Sequence, residues 1–500
     1  MSRVVIIGAG FGGLACGIRL LAQGHRVTMV EKLDQPGGRA YVFRQDGFTF
    51  DAGPTIITAP WLIHDLFALG SRKTEEYVHL VALDPYYNVR FEDGSVFRYN
   101  GNHADIVRQI RDFSPADVAG YERFARHCAG IFTTGFGLID KPFLKFSDML
   151  RVAPDLIRLQ AYRSVAGYVN RYIADERLRQ VFSFHPLLVG GNPFQTTALY
   201  TLIHHLEKEW GVWFAMGGTG ALVQGLARLF TDMGGELRAG AEVAQIVVPP
   251  GSRRATGVCL TNGEVLPADV VVSNGDVAST YLHLVPSHAR VVNTDRRVTR
   301  RRYSMSLFVI YFGTNRRYDD MAHHEILMGP RYRALLHDIF TTKRLSTDFS
   351  LYLHRPTATD PSLAPEGCDS WYVLAPVPHL GGPTDWSTAA PAYRNAIMEY
   401  LEERYLPGLS RHLVTERFIS PPYFRDTLNS YLGSAFSLEP VLTQSAWFRP
   451  HNRSEDIPNL YFAGAGTHPG AGLPGVISSG KIVADLIGSA GPSSRRPSED

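Results

Sequence analysis

The sequence predicts an α/β fold, on three observations. An apolar strand, a glycine turn, a helix and a second strand fill the first 31 residues. Glycine-turn and strand segments return late in the chain, around residues 217–273 and 459–476. Between them lie long stretches that mix strand pieces with aromatic-rich helical patterns. This is the pattern of a Rossmann-type parallel-sheet domain assembled from separated segments, with an α+β domain inserted into it.

Val4-Val5-Ile6-Ile7 is all apolar, as in a strand buried on both faces. Gly8-Ala9-Gly10-Phe11-Gly12-Gly13 turns the chain into a helix with Leu14, Ile18 and Leu21 at helical spacing. Arg26 to Val30 reads as the second strand, ending at Glu31. Gly8 allows the tight turn, Gly10 lets a pyrophosphate reach the backbone, and Gly13 lets helix and strand pack closely. The helix start offers free N–H groups and partial positive charge to phosphates. Glu31, 18 residues past Gly13, is placed to accept from a ribose hydroxyl. Its charge would repel a 2′-phosphate. The motif therefore fits NAD or FAD and disfavours NADP.

Gln35-Pro36-Gly37-Gly38-Arg39-Ala40 comes next in the chain, then Phe48-Thr49-Phe50-Asp51-Ala52-Gly53-Pro54-Thr55. Their glycines permit close backbone approach, and Arg39 can neutralise a phosphate or bond a flavin ring. Tyr86 to Phe91 and Val96 to Tyr99 read as strands. From Lys141 to Arg171 the basic residues are Lys141, Lys145, Arg151, Arg158, Arg163 and Arg171, against the acids Asp148 and Asp155. Interleaved Phe, Leu, Met and Tyr give this stretch two readings: a membrane-surface segment, or an ordinary helical region with a solvated basic face.

Gly217-Gly218-Thr219-Gly220 opens a helix over Ala221 to Met233. Strands are expected at Val243 to Val248, Val258 to Leu260 and Asp269 to Ser273, around the Asn262-Gly263 turn. Ser306 to Phe312 and Phe349 to Leu353 have strand character. Asn459 to Val476 reads as strand, glycine-rich turn and a second helix start, the helix running from Val476 to Ile487. The polar tail, 489–500, is expected to be disordered.

Composition narrows the class. The chain has 500 residues, 45% hydrophobic and 20% charged, with net charge +2. That balance excludes a disordered chain and gives no argument for nucleic acid. Cys16, Cys128, Cys259 and Cys368 are scattered and read as free thiols in a reducing compartment. A nucleotide fold beginning at residue 3 leads us to expect no leader peptide. The charge-poor run from Val181 to Leu206 is broken by Pro186, Gly190, Gly191 and Pro193, so no spanning helix is expected. There is no GxSxG and no HExxH. His323-His324-Glu325 has the wrong spacing for that zinc motif, His204-His205 reads as core or surface, and no metal site is expected. Trp210, Trp213 and Phe214 read as packing.

With these residues placed, the sequence resembles the bacterial-type phytoene desaturases, carotenoid-pathway members of the FAD-dependent desaturases. GAGFGGL, FDAGPTIIT, SFHPLLVGGNPF, YTLIHHLEKEWGVWF, SLYLHRP, VLAPVPHLG and NLYFAGAGTHPGAGLPGV carry the resemblance, which spans nearly the whole chain. It implies a Rossmann-type FAD-binding domain of the flavin amine oxidase-like kind. That domain would comprise residues 1–80, 216–295 and 450–488. A substrate domain would comprise 81–215 and 296–449, with a membrane-facing helical region near 135–175. Carried over residue by residue, FAD contacts fall on Gly8, Gly10, Gly13, Glu31, Lys32, Gly38, Arg39, Gly53, Val243, Gly464, Gly466 and Val476.

The implied reaction is stepwise desaturation of phytoene to lycopene, with quinone or oxygen as electron acceptor. The implied place is cytoplasmic, peripheral on the inner face of the cell membrane. A dry tunnel would do most of the catalytic work. Asp148 and Arg151, three apart on an expected helix, are the candidate polar spot in it; the plain alternative is a surface ion pair. A three-step, neurosporene-forming desaturase and a redox-neutral carotenoid isomerase are the alternatives that share this cofactor.

Overall fold

The computed structural model describes residues 1–490. Arg3–Ile7 is the central strand of a five-stranded, wholly parallel sheet. Arg26–Val30 and then Glu236–Arg238 lie on one side of it; Val270–Ser273 and then Leu460–Phe462 lie on the other. Alternate side chains enter different cores, because successive residues of a strand point to opposite faces. Val4 and Ile6 pack under the helices Phe11–Ala22, Thr219–Asp232 and Leu473–Ile487. Val5 packs against a three-stranded antiparallel sheet formed by Val243–Val247, Gly257–Leu260 and Val265–Pro267. Covering on both faces is why this strand has no polar alternation. The first and last helices touch closely: a Cβ on Gly480 would stand 2.8 Å from both Cys16 N and Gly12 O.

A seven-stranded mixed sheet forms the second layer system. Its order is Leu413–Ile419, Ser306–Thr314, Asp369–Val377, Leu351–His354, His324–Leu327, Tyr87–Arg90, Val96–Tyr99. Pairing is antiparallel except between His324–Leu327 and Tyr87–Arg90. Ser306–Thr314 is buried along its whole length. Leu307, Val309 and Tyr311 enter one core, and Phe308, Ile310 and Phe312 enter another.

Several boundaries differ from the sequence reading by one to three residues. The strand expected at Phe349 to Leu353 runs Leu351–His354, because its register is set by pairing Leu351 with Leu327 and His354 with His324. The helix expected from Ala221 starts at Thr219. The last helix starts at Leu473 rather than Val476, with Pro474 in its first turn, where a missing N–H costs nothing. Of the tail expected to be disordered, residues 491–500 lie outside the described residues; Ala490 N–H donates to Gln23 O at 3.0 Å.

Candidate active site

A cavity of about 1130 Å³ joins the two sheets. Its nucleotide half lies at the carboxyl ends of the parallel strands, where ligands of open α/β sheets bind. Four of the five strands deliver residues beyond their carboxyl ends: Gly8 after the first, Glu31 and Lys32 after the second, Asn274 after Val270–Ser273, and Gly464 after Leu460–Phe462. Gly8 and Gly464 have φ of +95° and +107°, conformations that side chains resist.

Two helices start at this cavity without a capping side chain or an acid in the first turn: Phe11–Ala22 after Gly10, and Leu473–Ile487 after Gly472. Their N–H groups and dipoles are therefore available to an anion. Asn274, unremarked in the sequence, closes against the first turn. A Cβ on Gly10 would stand 2.9 Å from its Nδ2, and one on Gly12 would stand 2.5 Å from its Oδ1. Asp276, also on the cavity wall, accepts from Ser279 N–H at 3.1 Å through one oxygen and has a second buried oxygen with no partner among the described residues. Two open helix starts, an acid at the second strand's end and this unpartnered oxygen fit a flavin nucleotide.

Glu31 is buried. It accepts from Ala9 N–H at 2.8 Å and Leu33 N–H at 3.0 Å. Burial pushes its carboxyl above the usual range, opposed by those N–H bonds. Lys32 Nζ donates to Asn429 Oδ1 at 3.1 Å and lies 3.5 Å from Glu242. Arg39 donates to Ala435 O at 2.7 Å and Ser430 Oγ at 2.6 Å; burial pulls its guanidinium pKa down, and Asp276 opposes the shift. Gly53 could not carry a Cβ, which would fall 1.9 Å from Arg39 O. Gly38, Val243 and Val476 also line the cavity. Gly13 and Gly466 do not. A Cβ on Gly13 would meet Gly8 O at 2.3 Å, and one on Gly466 would meet Val277 Cγ2 at 2.7 Å, so both serve close packing.

The other half of the cavity is apolar. Leu187, Leu202, Ile203, Met305, Val309 and Met328 are among its walls. Where the halves meet, Thr55 Oγ1 bonds Tyr352 OH at 2.7 Å and Tyr372 OH at 3.2 Å, and all three residues line the cavity.

The structure does not bring Asp148 and Arg151 to this cavity. Asp148 Oδ2 accepts from Lys145 N–H at 3.0 Å and so starts the helix Phe146–Arg158. Arg151, with a side chain 79% exposed, lies 3.6 Å from Asp148. From the same helix, Val152 and Leu156 do line the cavity. The tunnel reading of the acidic–basic pair is thus corrected: Arg151 points into solvent, and Asp148, although four residues before the cavity-lining Val152, is held at the helix start and is not among the lining residues.

The chain belongs to the flavin containing amine oxidoreductase family, whose profile matches residues 11–488. Within it, the chain is 54% identical over 489 residues to the phytoene desaturase (lycopene-forming) of Pseudescherichia vulneris, covering 97% of this chain and 99% of that protein. It is 53% identical, with the same coverage, to the protein of that description from Pantoea ananas. Among solved structures, the cyclohexylamine oxidase of Brevibacterium oxydans IH-35A matches with a TM-score of 0.60 at 15% identity, over 97% of this chain and 98% of that one. That match shows a shared flavin amine oxidase-like fold.

Proposed function

We propose that this protein is an FAD-dependent phytoene desaturase that carries its substrate stepwise to lycopene, working at a membrane surface. The observation that carries the reading is the continuity of the cavity. It runs from an open nucleotide cradle into an apolar volume, and its size exceeds the 300–1,000 Å³ of ordinary small-molecule pockets. The relatives named lycopene-forming phytoene desaturases supply the substrate class. Bound FAD supplies the two-electron oxidant for a C–C bond. The chain's own part is to hold a long hydrocarbon in place and keep water from it. The aliphatic walls serve both ends, since a delocalised cation formed along a polyene would be captured by water in a wetter site.

The helix Phe146–Arg158 supports the membrane reading. It has no buried residue. Phe146, Leu150 and Ile157 are 50%, 61% and 67% exposed, while Val152 and Leu156 of the same helix line the cavity. An apolar face turned outward beside a cavity wall suits a hydrocarbon arriving from a bilayer, and Lys145, Arg151 and Arg158 suit its anionic headgroups. Among the described residues, no helix is long and apolar enough to cross a membrane. We place the protein in the cytoplasm, peripheral on the inner face of the cell membrane, passing electrons to quinone or oxygen.

Expression in a host that accumulates only phytoene tests the reading. Each added double bond lengthens the chromophore and shifts its absorption to the red. Lycopene is the expected main product. Neurosporene would correct the number of steps, and unchanged or merely isomerised phytoene would remove the desaturase reading.

A further inference from the structure

His323 and His324 lie at the start of one strand of the seven-stranded sheet, and His354 ends the strand beside it, paired directly with His324. The three rings gather with centroids 4.5, 4.8 and 5.1 Å apart. One nitrogen from each lies within 4.8 Å of the others. All three residues are at least 95% buried, their exposures being 5%, 0% and 1%. The outer nitrogens of two are already engaged: His324 Nδ1 with Tyr352 OH at 2.7 Å, and His323 Nδ1 with Thr359 Oγ1 at 2.6 Å. The Nε2 atoms of these two, and both nitrogens of His354, have no hydrogen-bond partner among the described residues.

We propose that His323, His324 and His354 form a zinc site of three imidazole nitrogens, with the fourth position left to a water. Three arguments converge on it. Buried polar atoms are almost always partnered, and here unpartnered ring nitrogens belong to three rings that gather together. If the two Nδ1–H groups donate to their hydroxyl partners, each Nε2 presents a lone pair. A water there donates to two lone pairs and needs the third ring to turn an N–H inward, whereas a metal ion takes a lone pair from all three. An imidazole whose far N–H is held by an oxygen is the usual arrangement of a metal-binding histidine. Neutral nitrogen donors suit zinc among the divalent ions, at bonds of about 2.0–2.1 Å that a modest inward turn of the rings would reach. Arg355, whose backbone N–H donates to His323 O at 2.9 Å, is the charged group beside the site. The charge of Arg355 is itself offset by Asp369 at 3.2 Å and Asp319 at 3.4 Å. The site does not open on the cavity. Through His324 it braces Tyr352, which does, so its role is to hold that wall. This proposal is independent of the reading of the cavity as a carotenoid site.

The test is elemental analysis of full-length, flavin-loaded protein expressed in zinc-supplemented medium and passed over a desalting column. About one zinc per chain is expected in the wild type, falling to background in His354→Gln. A zinc chelator should lower Tm by several degrees in the wild type and leave His354→Gln unmoved. Flavin absorption reports folding throughout; if His354→Gln does not load flavin, His323→Gln takes its place. A folded wild type without first-row metal after both supplementation and loading in vitro overturns the site. So does a histidine variant that keeps the wild-type amount of zinc.

Discussion

Single atoms decide much of this cavity. Gly13 is helical, so its role is not conformational freedom but the absence of a Cβ that would stand 2.3 Å from Gly8 O. Gly13→Ala should lose about 1–3 kcal/mol in a urea melt, the cost of overpacking a tight contact. Glu31→Ala should weaken flavin binding by about 1–3 kcal/mol, the scale of a charged hydrogen bond, measured by titrating apoprotein with FAD. Asp51 is a third case. It accepts from Thr219 N–H at 2.8 Å and Gly220 N–H at 3.1 Å at a helix start. Burial nonetheless outweighs those bonds and raises its pKa from 3.8 to about 6. The native protein therefore takes up this proton as pH falls through about 6, while the unfolded chain waits until about 4. Relative to Asp51→Asn, the wild type should gain up to about 3 kcal/mol of stability as pH falls from 7 to 4. Paired urea melts across that range check the sign.

At the scale of an element, the helix Phe146–Arg158 carries the membrane proposal. Its exposed Leu150 and Ile157 contribute little to the fold, and Phe146 meets Trp447 edge to face at 5.1 Å, so replacing all three with Ser should cost no more than about 0.5 kcal/mol at each aliphatic site and about 0.5–1.5 kcal/mol at Phe146. The same variant should no longer pellet with anionic liposomes, whereas the wild type should pellet and be partly released by high salt. Equal binding by both proteins would assign membrane contact to another surface. The basic and aromatic content of this stretch marks it in the sequence but does not choose its faces. Helical spacing groups residues into stripes; only the neighbours tell which stripe is outside. Arg151 turns to solvent and Asp148 is spent on the helix start, and neither outcome is legible in their spacing.

At the scale of the molecule, two sheets enclose one volume, and its continuity links the nucleotide cradle to an apolar half. Thr55 is where they meet, held by Tyr352 and Tyr372 from the second sheet. Tyr352→Phe removes the hydroxyl between Thr55 and His324 while keeping the ring. It should leave FAD content unchanged and slow the reduction of bound flavin by phytoene under anaerobic conditions, measured as loss of the flavin's visible absorption. An unaltered rate would make this contact one of architecture alone.

The sequence by itself determined the nucleotide half. Gly8, Gly10, Glu31 and Gly464 stand at or near the ends of strands whose apolar runs are local, and a turn that needs glycine leaves its mark in adjacent residues. The resemblance in the middle segments is what pointed to the substrate class proposed above. Only the tertiary structure decided which distant groups meet. Asn274 closes on Gly10 and Gly12 across more than 260 residues, because parallel pairing of Val4 with Val270 sets it there. His354 joins His323 and His324 because strand register places it opposite His324. The sequence showed a histidine pair with the wrong spacing for a helix-borne zinc motif. Pairing between strands obeys no sequence spacing, so the third histidine became visible only once the sheet had formed.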